Sequence, residues 1–201
     1  MTLRVPEPPE ASVAALHDSL GALAERGQFG VRRLRTARPE QLSATLPHQV
    51  YVLGLGDAAN GDFARAQANG WRYLLEADRE VVASAETRLE GDEGHTFSHV
   101  NEGPFVRGTV RALAVADRAA GEQERALEFA VLHVPALYLM CVWLRPDAAA
   151  KPDDSLFIPI APAPAGVEAN EVYTSDVFAT MIADLARRVP HATADDPTAG
   201  A

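Results

Sequence analysis

The sequence predicts an α+β fold: a single domain over residues 1–190, in which a mixed, mostly antiparallel five- or six-stranded sheet is covered by N-terminal, central and C-terminal helices. Three observations carry that expectation. Apolar residues recur at spacings of three and four in separate stretches near residues 10–26, 105–120 and 174–188. Between those stretches lie short runs of Val, Leu, Ile and aromatic residues, bounded by Gly, Pro, Asn and Asp. Downstream of the first strand these runs pair up instead of alternating with helices, so hairpins are expected and a doubly wound parallel sheet is not.

After Pro6, Pro8 and Pro9, the stretch from Glu10 to Arg26 aligns Val13, Leu16, Leu20 and Leu23 on one helical face, with Ser12 as its N-cap and Gly27 at its exit. The basic stretch VRRLRTAR reads as a solvated loop or edge strand, and Pro39 opens a short second helix through about Leu46. Gln49 to Leu55 is β-branched and aromatic and reads as a strand. The glycine-rich GDAANGD ends it, before a short helical piece that stops at Asn69-Gly70. From Trp71 to Leu89 a hairpin is expected around Ala77-Asp78-Arg79, with Trp71, Tyr73 and Leu75 on one face.

The segment GDEGHTFSHVNEGP reads as a loop, followed by the central helix from Phe105 to Ala120. Leu127 to Val134 and Ala136 to Arg145 are apolar throughout, the signature of strands covered on both faces, with Pro135 at their junction. LFIPIAPAPAG supplies an edge strand and then an extended proline-rich connection. The last helix starts near Thr174-Ser175-Asp176, turns Phe178, Met181, Ile182, Leu185 and Val189 to the core, and ends at Arg187-Arg188. Residues 191–201 have no large apolar side chain and are expected to form a mobile tail.

Charge and composition narrow the function. The 201 residues carry 18 Lys+Arg against 28 Asp+Glu, a net charge of −10, whereas nucleic-acid affinity starts from a basic surface. Cys141 is the single cysteine, which excludes an intrachain disulfide and an all-cysteine zinc site and suits a reducing cytosol. The N-terminus lacks a secretory pattern, and the apolar run Val134 to Leu144 is too short for the roughly 20 residues of a membrane span, so no membrane partner is expected. Lys151 is the only lysine among the 18 basic residues, a bias typical of bacterial coding sequences rich in G and C.

Three constellations are candidates for chemistry. Gly54-Leu55-Gly56-Asp57-Ala58-Ala59 has the G-x-G-x-x-G/A form directly after a strand, where glycines let the backbone approach a pyrophosphate. Glu76 or Asp78 lies at the distance expected of the acid that holds the ribose hydroxyls. Against it stand Asn60-Gly61 splitting the following helix, Asp57 beside the phosphates, and the hairpins downstream. His95 and His99, four apart, would share a helical face and with Glu102 could ligate a metal. Gly94, Gly103 and Pro104 crowd that segment, so structural histidines on a loop, with no metal, are expected instead. Arg107, Arg111 and Arg118 fall on one stripe of the central helix, either an anion site or its wet side.

Cys141 sits in the most apolar segment, where burial suppresses the thiolate, and no G-x-S-x-G elbow occurs. Trp71 and Trp143 read as core anchors or pocket walls, and Tyr51 and Tyr73 as neighbours on adjacent strands whose hydroxyls could reach a pocket mouth. Together these features predict a non-enzymatic, cytosolic bacterial binding or interaction protein without a cofactor, which uses its acidic surface to meet a protein partner or assembles with itself. Val134 to Leu144 and Leu156 to Ile160 supply more apolar surface than the helices readily cover, which favours a homodimer. The alternative is a nucleotide- or dinucleotide-binding enzyme or sensor using the glycine loop.

Overall fold

The computed structural model describes residues 3–31, 34–35, 42–91, 94–123, 126–146 and 154–189. Helix α1 (Glu10–Glu25) is followed by strand β1 (Leu42–Val52), a short helix α2 (Leu55–Asn60), and strands β2 (Gln67–Ala77), β3 (Glu80–Glu90) and β4 (Gly94–Asn101). Helix α3 (Pro104–Gly121) then leads to β5 (Leu127–Val134), β6 (Leu139–Pro146), β7 (Leu156–Pro159), β8 (Tyr173–Thr174) and helix α4 (Ser175–Arg188). The strands form one sheet in the order β4-β3-β2-β1-β5-β6-β7-β8. All neighbours are antiparallel except β1 and β5, which run parallel over Gln49–Val52 and Ala130–His133. Two antiparallel meanders thus meet at one parallel seam, and α3 is the crossover that this seam requires.

The α+β class and the mixed sheet are as predicted, with eight strands in place of five or six. The hairpin turns at Asp78 and Arg79, whose φ values of 53° and 65° are those of a two-residue turn matched to strand twist. Four expectations are corrected. Residues from Leu42 onward are strand, and the helix expected through Leu46 is absent there; its proposed first residue, Pro39, lies outside the described residues. Pro47 is tolerated because it sits at a bulge between Thr45 and His48, where the ladder asks for no donor. Strand β2 begins at Gln67 and passes straight through Gly70: a Cβ there would lie 1.9 Å from the Thr87 carbonyl oxygen, so only glycine fits. The segment read as a loop at Gly94–Asn101 is the edge strand β4, paired with β3 and packed under α1. Ser12 lies inside α1 and does not cap it; its buried hydroxyl is hydrogen-bonded to Tyr73 Oη at 2.7 Å and Thr87 Oγ1 at 2.6 Å.

Side chains of directly paired residues share a face, so Trp71, Gln49 and Ala130 point the same way. On that face α1 sets Leu16 among Trp71, Tyr73, Leu75, Ala83 and Ala85. Further along, α2 and α4 bury Leu132, Cys141, Trp143 and Phe157 against Phe178 and Ile182. The opposite face belongs to α3, whose Ala112, Ala116 and Ala120 pack on Phe129, Val131, Val142, Leu144 and Ile158. Small residues let this helix sit close: a Cβ on Gly108 would fall 2.1 Å from the Ala161 carbonyl oxygen.

Strands β5 and β6 are therefore covered on both faces, as their continuous apolar runs predict. The same packing overturns the reason for expecting an apolar interface. Val134, Leu139, Cys141, Val142, Leu144, Phe157, Ile158 and Ile160 are all at 0 % exposure inside the monomer. The edge beyond β7 is closed by β8, and the proline-rich connection returns to it through the Asn170 N–H donating to the Pro159 carbonyl at 2.9 Å. No helix among the described residues is long and apolar enough to cross a membrane. The tail expected over 191–201 lies outside the described residues.

Candidate functional site

A cleft of about 490 Å³ opens beside the first turn of α1, on the face that this helix shares with α2 and α4. Pro9 and Ala11 form its roof, Ala68, Gly70 and Trp71 of β2 its floor, with Leu89 and His95 from β3 and β4 on one side and Gln49 of β1 on the other. Its origin is local: Ala68 and Gly70 are small, so the row of large side chains that carries α1 starts only at Trp71. None of the described lining residues has a carboxylate, ammonium or guanidinium group. Burial lowers the His95 pKa, which keeps its imidazole neutral at neutral pH, and its Nδ1 is buried with no hydrogen-bond partner among the described residues.

Gln49 is oriented by a relay from the second meander. The Tyr51 hydroxyl donates to Gln49 Oε1 at 2.6 Å, and the Arg145 guanidinium donates to the same Tyr51 oxygen. Arg145 also lies over the Tyr51 and Trp143 rings, 4.5 and 4.8 Å from their centroids, a doubly stacked cation. Burial raises the Tyr51 pKa while Arg145 acts against that rise, so the phenol remains a donor. With its oxygen engaged, the Gln49 amide has its NH₂ left to donate. Across from Arg145, Glu128 is held at 2.7 Å by Arg4.

The structure distributes the residues singled out in the sequence. Trp71 lines the cleft, while Trp143 belongs to the aromatic core, its buried Nε1 without a partner among the described residues. Tyr51 and Tyr73 do sit on adjacent strands, but their hydroxyls serve separate networks, Tyr73 turning to Ser12. Gly54 caps the six-residue α2, with Gly56 and Asp57 in its first turn. The acidic residues meant to complete that site are elsewhere. Strand β2 runs antiparallel to β1, with Val52 opposite Gln67 and Leu42 opposite Ala77, so Glu76 and Asp78 lie at the far end of the sheet, roughly 30 Å away at 3.3 Å per residue. A dinucleotide unit needs a parallel second strand to return its acid to the glycine loop.

His95 and His99 are likewise parted. Ser98 is an extra residue in β4, between the pairs Phe97–Thr87 and His99–Glu86, and this bulge turns His95 and His99 to opposite faces. Glu102 follows the end of the strand, and among the described residues no group of three His, Cys, Asp or Glu could hold a metal. Arg107, Arg111 and Arg118 form an exposed row on α3, opposite the alanines that pack on the sheet. Cys141 is wholly buried, with burial raising its pKa, an inert thiol.

Sequence reasoning missed Gln49, Arg145 and a buried cation. Arg72, 2 % exposed on the α3 face, lies with Nε 3.4 Å from Glu86 and donates to Ser84 Oγ at 3.1 Å and Met140 Sδ at 2.8 Å. His99 Nε2 is 3.8 Å from the other Glu86 oxygen. Directly across the ladder from Arg72 is His48, fully buried against Phe129. In an alternating Trp-Arg-Tyr run the arginine reads as the solvated position, and only the crossover packing buries it. No family model, curated protein or solved structure matches the chain.

Proposed function

We propose that this protein is a non-enzymatic binding protein of the bacterial cytosol, which holds a small ligand in the cleft beside α1 and meets a basic protein partner with its acidic surface. The observation that carries the reading is the cleft itself. Its volume falls within the range of small-molecule sites, its walls are mostly apolar, and two uncharged polar side chains, Gln49 of β1 and His95 of β4, stand at its opposite sides. Ligand binding to the native state alone raises the melting temperature.

A thermal-shift screen against small uncharged and charged compounds, NAD, NADP, FAD, ATP and divalent metals, run on wild type and Ala68→Phe, tests it. Ala68 is exposed in the cleft, so a phenylalanine there fills the space without entering the core. A compound that raises the wild-type Tm by about 3 °C or more should leave Ala68→Phe unmoved. A nucleotide that stabilises both proteins alike would move the site to the loop at Gly54–Gly61 and favour a nucleotide-binding enzyme or sensor. No shift from any compound would remove the small-ligand reading.

Self-association is the second part of the proposal, now resting on a different edge. Strand β4 ends the sheet, and Gly94–Asn101 contains no Lys, Arg, Asp or Glu, the residues that usually block strand addition. Antiparallel pairing of β4 with its copy makes a homodimer. Light scattering on a size-exclusion column should give a dimer mass at micromolar concentration and a monomer for the edge variant Thr96→Lys. A wild-type monomer would remove this part.

A further inference from the structure

We propose that the cleft takes an uncharged heteroaromatic ring carrying an amide or carbonyl oxygen, the oxygen accepting from Gln49 Nε2 and the ring lying against Trp71 and Leu89. The inference rests on the small-ligand reading above and names its chemistry.

Charge decides the class first. The chain has a net charge of −10, yet no described residue lining this cleft is charged. An ionised carboxylate or phosphate entering it would lose water and gain no counter-charge, a penalty a neutral ligand avoids. Arg145 does not supply that charge, since its guanidinium is stacked on Tyr51 and Trp143 and bonded to the Tyr51 hydroxyl.

Polarity then fixes what the ligand must offer. The relay through Tyr51 occupies the Gln49 oxygen, so this amide enters the cleft as a donor and calls for an acceptor. A neutral imidazole presents one donor and one acceptor nitrogen, so His95 can serve either sense and does not select. Trp71, Leu89, Ala68, Pro9 and Ala11 supply the apolar remainder. A planar ring covers such walls with little rotational freedom to lose.

Matched probes test this. Nicotinamide and benzamide carry the uncharged amide; nicotinate and benzoate keep the ring and replace the amide by a carboxylate. The two tryptophan indole N–H signals in a ¹H–¹⁵N spectrum, assigned with Trp143→Phe, report the site through Trp71. Nicotinamide should move the Trp71 signal and bind at least about tenfold more tightly than nicotinate. Gln49→Leu should lower nicotinamide affinity about tenfold, and Tyr51→Phe, which frees the amide to turn over, should lower it by a smaller factor.

Carboxylates binding as tightly as the amides, or nicotinamide affinity unchanged in both variants, would overturn the proposed class while leaving the cleft a binding site. If no probe moves Trp71 although the thermal screen has found a compound sensitive to Ala68→Phe, the class falls alone. If the screen is silent as well, both fall together.

Discussion

Replacing Phe157 with alanine is expected to cost about 4 kcal/mol of folding stability. Phe157 is wholly buried in β7 and joins four elements through its ring. It lies 4.4 Å from Phe178 of α4 at an interplanar angle of 8°, and 4.5 Å from Phe63 in the 3-10 turn Phe63–Arg65 that follows α2. Trp143, its partner across the β6–β7 ladder, is stacked with it at 5.7 Å between ring centroids. Alanine removes the transfer free energy of a benzyl group and the aromatic pair terms, and leaves a cavity between layers that cannot close without moving α4. Against a total of about 5–15 kcal/mol for a typical domain, that loss brings the protein near its folding threshold. Urea denaturation should show a much lower midpoint for Phe157→Ala and a drop about half as large for Phe157→Leu. A loss below about 1 kcal/mol for the alanine variant would mean that the stack contributes little.

Acid should weaken the fold through His48. This imidazole is fully buried, its Nδ1–H donates to the Leu46 carbonyl at 2.7 Å, and its Nε2 has no partner among the described residues. Burial first, and the Arg72 cation second, lower its pKa from 6.5 to about 3. The unfolded chain therefore takes up a proton below pH 6.5 that the folded chain refuses until about pH 3. Stability is complete above 6.5 and falls with pH by about 1.4 kcal/mol per unit across that window, which amounts to about 2.7 kcal/mol at pH 4.5. Burial also lowers the His133 pKa, which adds in the same sense. Urea midpoints at pH 4.5 and 7.5 should diverge more for wild type than for His48→Gln, since carboxylate titration is common to both. Equal divergence would show that His48 does not carry the acid sensitivity.

What could be read from the sequence is what local pattern controls. The periodic spacing of Leu16, Val106 and Ile182 and the paired apolar runs at Leu127 and Leu139 place three helices and the central strands within a few residues of their positions. Strand β4 escaped because Gly94, two histidines, Ser98 and Asn101 have little strand preference of their own; pairing with β3 and cover from α1 supply it. The start of β1 escaped because Pro47 reads as a terminator unless the bulge is known. The glycine loop shows a related limit: strand, loop and short helix are all present, but the direction of the next strand, which sets where Glu76 and Asp78 lie, is not written in the motif. Gln49 is oriented by Tyr51 and, through it, by Arg145, which lies 94 residues beyond Tyr51, a relation that no window of sequence contains.

The parallel seam is where the two halves of the sheet exchange their hydrogen bonds. Each meander is laced internally by antiparallel ladders, whereas in the sheet the two meet along only Gln49–Val52 and Ala130–His133. Four residue pairs form that seam, against eight between β2 and β3, and α3, which packs on both β3 and β6, braces it from one face. Gln49 stands on the seam, with Trp71 of the first half across the ladder on one side and the Tyr51–Arg145 relay to the second half on the other. A ligand held there as proposed would touch the first half directly and reach the second through the Tyr51–Arg145 relay. If the proposed ligand binds there, linkage requires that any difference in its affinity between two settings of the meanders biases that setting to the same degree.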